Sequence, residues 1–270
     1  MLNLNGIRKT FLPDTPNEVL ALQGVSLHIK EGSFTAVIGT NGSGKSTLLN
    51  AVAGTFAPDM GSIHLDKQDV TRWPEYRRAQ LMGRVFQNPF AGTAPGMTIA
   101  ENIVISMRRG KSRGLGTAVT QSARDEIGDK VRTLKMGLED RLNNPIGTLS
   151  GGQRQALTLL MATWLRPKLL LLDEHTAALD PKSAAKIAEL TKDIIEREKL
   201  TALMVTHSMQ QAVDLPDRII MMHRGNIVED FQDEQKTRIR IPDLMAAFDR
   251  VAKRELFDES VALLLARQYG

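Results

Sequence analysis

The stretch Phe34-Thr35-Ala36-Val37-Ile38-Gly39-Thr40-Asn41-Gly42-Ser43-Gly44-Lys45-Ser46-Thr47 reads as a strand, a loop and the first turn of a helix. Phe34 to Ile38 is nearly continuous apolar sequence, the pattern of a parallel strand buried on both faces. Gly39 to Ser46 then matches G-x-x-x-x-G-K-S in the strand-to-helix setting that gives this pattern its meaning. Its glycines let backbone amides wrap phosphate oxygens, Lys45 brings a cation to the β- and γ-phosphates, and Ser46 supplies an oxygen to magnesium. A nucleotide is therefore expected along Gly39 to Thr47.

Two further apolar strands end in polar groups, at the edge where parallel sheets open onto a ligand crevice. Leu169-Leu170-Leu171-Leu172 leads into Asp173 and Glu174. Asp173 is placed to hold magnesium beside the phosphate loop, and Glu174 to orient or deprotonate an attacking water. Taken alone, Glu174 also reads as an acid paired with a helix dipole, the minority reading beside this strand. Ala202-Leu203-Met204-Val205-Thr206 leads into His207, whose imidazole can hydrogen-bond a γ-phosphate. Gln87 closes the strand-like Gly83-Arg84-Val85-Phe86 and can ligate magnesium or its water. Leu149-Ser150-Gly151-Gly152-Gln153 starts a helix, where two glycines and a serine offer amides and a hydroxyl to an anion. A second anion site beside a phosphate loop suggests that two copies share each nucleotide.

The flanking sequence fills in an α/β fold. Leu2, Leu4 and Ile7, then Val25 to Ile29, then Ser62 to Leu65 read as short half-buried strands, with glycine turns at Gly32 and Gly61. From Glu101 to Arg166 the pattern is helical. Ile103, Ile105 and Met107 form one apolar block, Ile127, Val131, Leu134 and Leu138 share a helical face, and a helix from Gly151 to Arg166 stops at Pro167. Its loops carry Gly110, Gly114, Gly116 and Pro145. A helix from Ser183 to Glu198 between two apolar strands gives a βαβ rhythm and hence a parallel sheet. Ile219 to Met222, the turn Arg224-Gly225-Asn226 and Ile227-Val228 read as a closing hairpin. Beyond Phe231 the chain is charged until Pro242-Asp243, where a helix with Leu244, Phe248 and Val251 on one face is expected. The expectation is a core over about 1–86 and 168–230 with an N-terminal antiparallel β portion, a helical insertion over about 87–167, and a packed helical tail over 231–270.

Composition narrows the function classes. An apolar share of 42% over 270 residues is ample for a core. No apolar run approaches the roughly 18 residues of a membrane span, Leu169 to Leu172 and Val261 to Leu265 being the longest candidates. Met1 to Gly6 shows no charged leader before an apolar stretch, so neither spanning nor secretion is expected. The absence of cysteine removes disulfides, thiolate catalysis and cysteine-ligated metals, and makes the cytoplasm the expected compartment. Lys and Arg number 35 against 31 Asp and Glu, a net +4 too mild to argue for nucleic acid. The basic run Arg108-Arg109-Gly110-Lys111-Ser112-Arg113 lacks aromatics to stack on bases and reads as a solvated loop.

Taken in order, Gly39 to Thr47, Gln87, Leu149 to Gln153, Asp173-Glu174, Ala178-Leu179-Asp180 and His207 resemble the motifs of the ATP-binding subunit of ATP-binding cassette transporters, over about residues 2–230. The resemblance implies a P-loop NTPase (RecA-like) core that hydrolyses ATP with Mg2+. It implies ATP sandwiched between Lys45 and its loop in one subunit and Leu149, Ser150, Gly151, Gly152 and Gln153 of another. It assigns Glu174 as the catalytic base, His207 as the switch histidine and Asp180 as a contact to the opposite site. Phe11 in Lys9-Thr10-Phe11 stands where the family stacks a tyrosine on adenine; phenylalanine keeps the stacking face. His175 stands where proline is common, so an altered turn and unchanged chemistry are expected.

A homodimer, a separate permease and an extracellular or periplasmic binding protein follow from the same resemblance, which makes the chain an importer subunit at the cytoplasmic face of the membrane, without nucleic acid. The permease would dock along Asn88 to Gly92 and on through Met97 to Asn102. Lys9-Thr10-Phe11 with Pro16-Asn17-Glu18-Val19 is similar to a subgroup whose permeases resemble those for branched-chain amino acids, implying amino acids or similar small solutes. The alternative is a soluble cassette ATPase of DNA repair, translation or iron–sulfur assembly. The short insertion between Asn88 and Thr148, the single cassette, and Gln153 where the cluster-assembly type carries glutamate all count against it.

Overall fold

The computed structural model describes residues 1–110, 119–251 and 253. The chain opens with β1 (Leu2–Phe11), β2 (Val19–Ile29) and β3 (Phe34–Gly39), followed by α1 (Lys45–Ala53), β4 (Met60–Leu65) and the two-residue β5 (Gln68–Asp69). Next come α2 (Glu75–Arg78), β6 (Met82–Val85), α3 (Ile99–Met107), α4 (Gln121–Arg132) and α5 (Gly151–Thr163). β7 (Leu169–Asp173), α6 (Pro181–Glu198), β8 (Thr201–Val205), α7 (Met209–Asp214), β9 (Arg218–His223), β10 (Asn226–Phe231) and α8 (Asp233–Arg238) follow, then α9 over 241–251.

Alternating buried and exposed positions build an antiparallel sheet ordered β2-β1-β4-β5, with Leu2, Leu4, Ile7, Val25, Ile29 and Ile63 turned inward. Gly32 sits in a turn as expected. Gly61 does not: it lies inside β4, pressed against the Asn5 and Gly6 carbonyls where the β1 register shifts. The second sheet is ordered β10-β9-β3-β8-β7-β6, parallel except for the β9–β10 hairpin. β3 and β8 are buried along their whole length, as their nearly continuous apolar runs lead one to expect. Val37 pairs with Val205, and Val205 with Asp173. This register brings the phosphate loop, Asp173-Glu174 and the residues after β8 to one edge.

Behind that edge, Arg78 closes the far end of α1. It is buried and donates to the carbonyls of Ala51 (2.7 Å), Val52 (2.8 Å), Thr71 (2.9 Å) and Trp73 (3.0 Å). A cation on these terminal carbonyls satisfies the helix dipole as well as the unpaired oxygens. Burial lowers its pKa to about 10, which leaves it charged at neutral pH.

The insertion has its own core, including Ile103, Ile127, Val131, Leu138, Ile146 and Leu157. Thr98 and Glu101 form a capping box that fixes the start of α3, and Ile105, read as part of an apolar block, faces solvent instead. α5 ends at Thr163, short of Arg166, whose φ of +43° already turns the chain toward Pro167. α8 occupies part of the charged stretch after Phe231; its acids lie in the first turn and its bases in the last, so the dipole favours a helix that no apolar periodicity announces. α9 begins one residue before Pro242 and buries Leu244 and Ala247 with Ile38, Ala212 and Met221. Lys111, Ser112, Arg113, Gly114, Gly116 and Val261 to Leu265 lie outside the described residues. Among the described residues, no helix is long and apolar enough to cross a membrane.

Candidate active site

The phosphate loop enters α1 through Gly44, which takes φ +98° and packs so tightly that a Cβ would lie 2.6 Å from the Ala21 carbonyl. Any side chain there would be both strained and in collision. Lys45 is buried beneath the loop and donates to the carbonyls of Gly39 (2.9 Å) and Thr40 (2.8 Å). Burial lowers its pKa, and the nearby Glu174 carboxylate opposes that shift. Ser46 and Asn41 are exposed at the loop's surface.

Across the crevice, Asp173 ends β7 and Glu174 leaves it with φ +45°. This left-handed conformation is costly for glutamate, and two backbone bonds hold it: Glu174 N–H to Val205 O (2.9 Å) and Ala177 N–H to Glu174 O (2.9 Å). Glu174 therefore belongs to a strained turn well before α6 and does not neutralise a helix start. Its Oε1 lies 2.5 Å from His207 Nε2; the carboxylate is mostly enclosed and the imidazole half exposed. Two groups read from separate strands thus meet directly. His175 follows, fully buried with a pKa lowered to about 4 by desolvation. Thr191 gives its hydroxyl proton to Ile187 O (2.7 Å), so the 2.9 Å contact with His175 Nε2 is a bond donated by the imidazole.

Asp173 has a partner the sequence reading did not foresee. Arg84, on β6, donates to Asp173 Oδ2 (3.1 Å) and Asn50 Oδ1 (2.6 Å) and lies over the Phe86 ring at 4.6 Å. Nothing local marks such a residue; the β6–β7 pairing of Arg84 with Leu171 brings it there. Gln87 stands exposed just beyond β6. Ser46, Gln87 and Asp173 offer only hard oxygen donors, the chemistry magnesium takes alongside phosphate oxygens and water.

The signature loop, Leu149 to Gln153, is built differently. Ser150 caps α5: its hydroxyl accepts from Gln153 N–H (3.2 Å), and Gln153 Oε1 accepts from Ser150 N–H (3.2 Å). The serine proton and the amides of Gly151 and Gly152 remain to meet an anion. Gly152 is needed for a second reason, since a Cβ there would lie 2.9 Å from Ser183 Oγ. Ser183 in turn donates its amide to Asp180, the N-cap of α6, at 3.0 Å. The signature and Asp180 are therefore neighbours on one surface.

Phe11 ends β1 beside Val19 and is about one-third exposed. Phe56 meets it edge-on at 5.4 Å, and Lys9 lies 5.5 Å from its ring centre. Neighbouring β2 reaches the phosphate loop through Ala21 and Gly44.

A family model described as ABC transporter matches residues 22–177. The chain belongs to the ABC transporter family. This ABC cassette is 37% identical over 249 residues to the tyrosine transport ATP-binding protein of Clostridioides difficile, covering 92% of the chain and 99% of that protein. It is 37% identical over 218 residues to a phosphate import ATP-binding protein of Aeropyrum pernix, covering 77% and 83% respectively. Among solved structures, a dimeric bacterial ABC transporter cassette superposes with a TM-score of 0.73 at 29% identity, over 86% of this chain and 98% of that one. A second dimeric form, in a post-hydrolysis state with ADP and phosphate, gives a TM-score of 0.72. The ABC chain is an ATPase of the import type.

Proposed function

We propose that this chain works as one of two identical ATPase subunits, each completing the other's site, on the cytoplasmic face of a membrane importer. The observation that carries the reading is the 2.5 Å pairing of Glu174 with His207 at the same sheet edge as Lys45. In this scheme Lys45 and the loop amides hold the β- and γ-phosphates, and Phe11 stacks on adenine. Glu174 accepts a proton from water as its oxygen bonds to the γ-phosphorus and the bond to the β-phosphate oxygen breaks, leaving ADP and phosphate. His207 orients Glu174 and contacts the γ-phosphate. Ser46, Asp173 and Gln87 would hold Mg2+, which when bound neutralises charge on the phosphate oxygens. The partner's Ser150, Gly151 and Gly152 would close the site from the other side, with Asp180 beside them.

A separate permease and a substrate-binding protein complete the importer. A cleft of 540 Å³ between core and insertion supports permease docking, with Tyr76, Gly92, Asn102, Ile105 and Arg109 among its walls. Tyr76 and Ile105 are exposed apolar groups there, suited to a short apolar helix. Ile99 and Ala100, placed by the sequence reading along the docking segment, are buried in the insertion core instead, because the Thr98 cap turns that face inward. The full-length likeness to a tyrosine transport protein supports an amino acid as cargo over an inorganic anion. Purification from detergent-solubilised membranes tests the proposal: recovery with a multi-span protein and a solute-stimulated ATPase supports it. Recovery with ribosomes or DNA alone overturns it.

A further inference from the structure

Arg154 and Gln155 follow the signature directly and are both fully buried. Gln155 Nε2 donates to the Phe86 carbonyl at 3.1 Å. Arg154 donates to the carbonyls of Ile146 (3.3 Å) and Gly147 (2.8 Å), beneath the turn that leads to Leu149, and lays its guanidinium 3.7 Å from the centre of the Phe90 ring. Phe86 and Phe90 bracket Gln87. Below them, Gly83 of β6 approaches α5 so closely that a Cβ would lie 2.3 Å from the Ala162 carbonyl. Strand and helix are locked together at one end, and the segment beyond the strand is held at two points.

These contacts are costly for mere packing. A helix face turned to the core is ordinarily apolar, and here Gln155 Oε1 and Arg154 Nη1 have no hydrogen-bond partner among the described residues. We propose that Arg154 and Gln155 are positioning residues, a two-point clamp that makes the Gln87 segment travel with α5. Capture of a second subunit's nucleotide at Ser150 to Gln153 is then felt at Gln87 and Phe90. The inference rests on the two-subunit reading above.

Hydrogen exchange of the full-length Glu174→Gln protein with Mg-ATP, at concentrations below and above dimer formation, tests it. Dimerisation should slow exchange in 149–155 and in 86–92 together, by about tenfold or more. Phe90 is exposed, so Phe90→Ala should fold normally. It should keep the gain in 149–155 while lowering that in 86–92 from about tenfold to about threefold, the Gln155 hold on the Phe86 carbonyl remaining, and Phe90→Tyr, which retains the ring face, should restore it. An unchanged gain in 86–92 with Phe90→Ala overturns the clamp. So does a parent protein in which only 149–155 responds, and in that case the two-subunit reading stands. If 149–155 gains no protection in the parent, that reading falls and the clamp with it.

Discussion

In the proposed scheme α1 and α5 both present their first turns to phosphate, yet they are built on opposite plans. α1 is entered through left-handed Gly44 with no side-chain cap, over a buried lysine. α5 is entered through Ser150 in a closed capping box, and Arg154 in its first turn is turned away onto carbonyls. The first site carries its own charge at long range; the second has only amides and a hydroxyl, which act at contact distance. One helix start can gather a polyanion from solution. The other can only recognise an anion already brought to it.

Four experiments press on this contrast, in order of decreasing effect. Glu174→Gln should lower phosphate release by about a thousandfold, roughly 4 kcal/mol of barrier, with ATP affinity by calorimetry nearly unchanged and an ATP-dependent dimer on gel filtration. Unimpaired release would remove Glu174 from the chemistry. Acid should act next, through His175. Its folded pKa of about 4 lies below the unfolded value, so the unfolded chain takes up the proton first. The stability due to the neutral buried imidazole is intact above pH 6.5 and declines toward pH 4, by about 3 kcal/mol in denaturant titrations. His175→Gln should flatten that decline. Lys45→Met should weaken ATP binding by about 100-fold, or about 2.7 kcal/mol, without loss of fold. Ser150→Ala should cost about 1 kcal/mol of stability and impair ATP-driven dimerisation, while the monomer's ATP affinity stays as it was. If Ser150→Ala weakened ATP binding to the monomer as Lys45→Met does, the contrast between the two helix starts would collapse.

The sequence made the nucleotide edge legible because its information is local. Phe34 to Ser46, Leu169 to Glu174 and Ala202 to His207 each state an apolar strand and the polar group at its end, and a parallel register does the rest. The supports of that edge were not legible. Arg78, Arg84, Arg154 and Gln155 are polar residues in stretches of ordinary composition, and their burial follows from pairings between distant segments: Arg78 with α1, Arg84 with β7, Gln155 with the end of β6. Gly61 looked like a turn for the same reason, since its true constraint is a neighbouring strand's carbonyls. Short-range pattern locates the groups that face the ligand; the groups that hold them in place answer to the tertiary fold.

The close approach of Gly83 to Ala162 gives α5 the geometry of a lever. The helix is pinned near its C-terminal end, and at 1.5 Å of rise per residue Ser150 lies about 18 Å away along the axis. A rotation of about 5° at the pin swings the signature by about 1.5 Å, the difference between a hydrogen bond made and one lost. Arg154 lies about 12 Å along the same arm and Gln155 just behind it, so Phe90 would be carried through about two-thirds of the stroke, about 1 Å. A side chain at position 83 would shift the fulcrum while leaving every residue at the nucleotide unchanged.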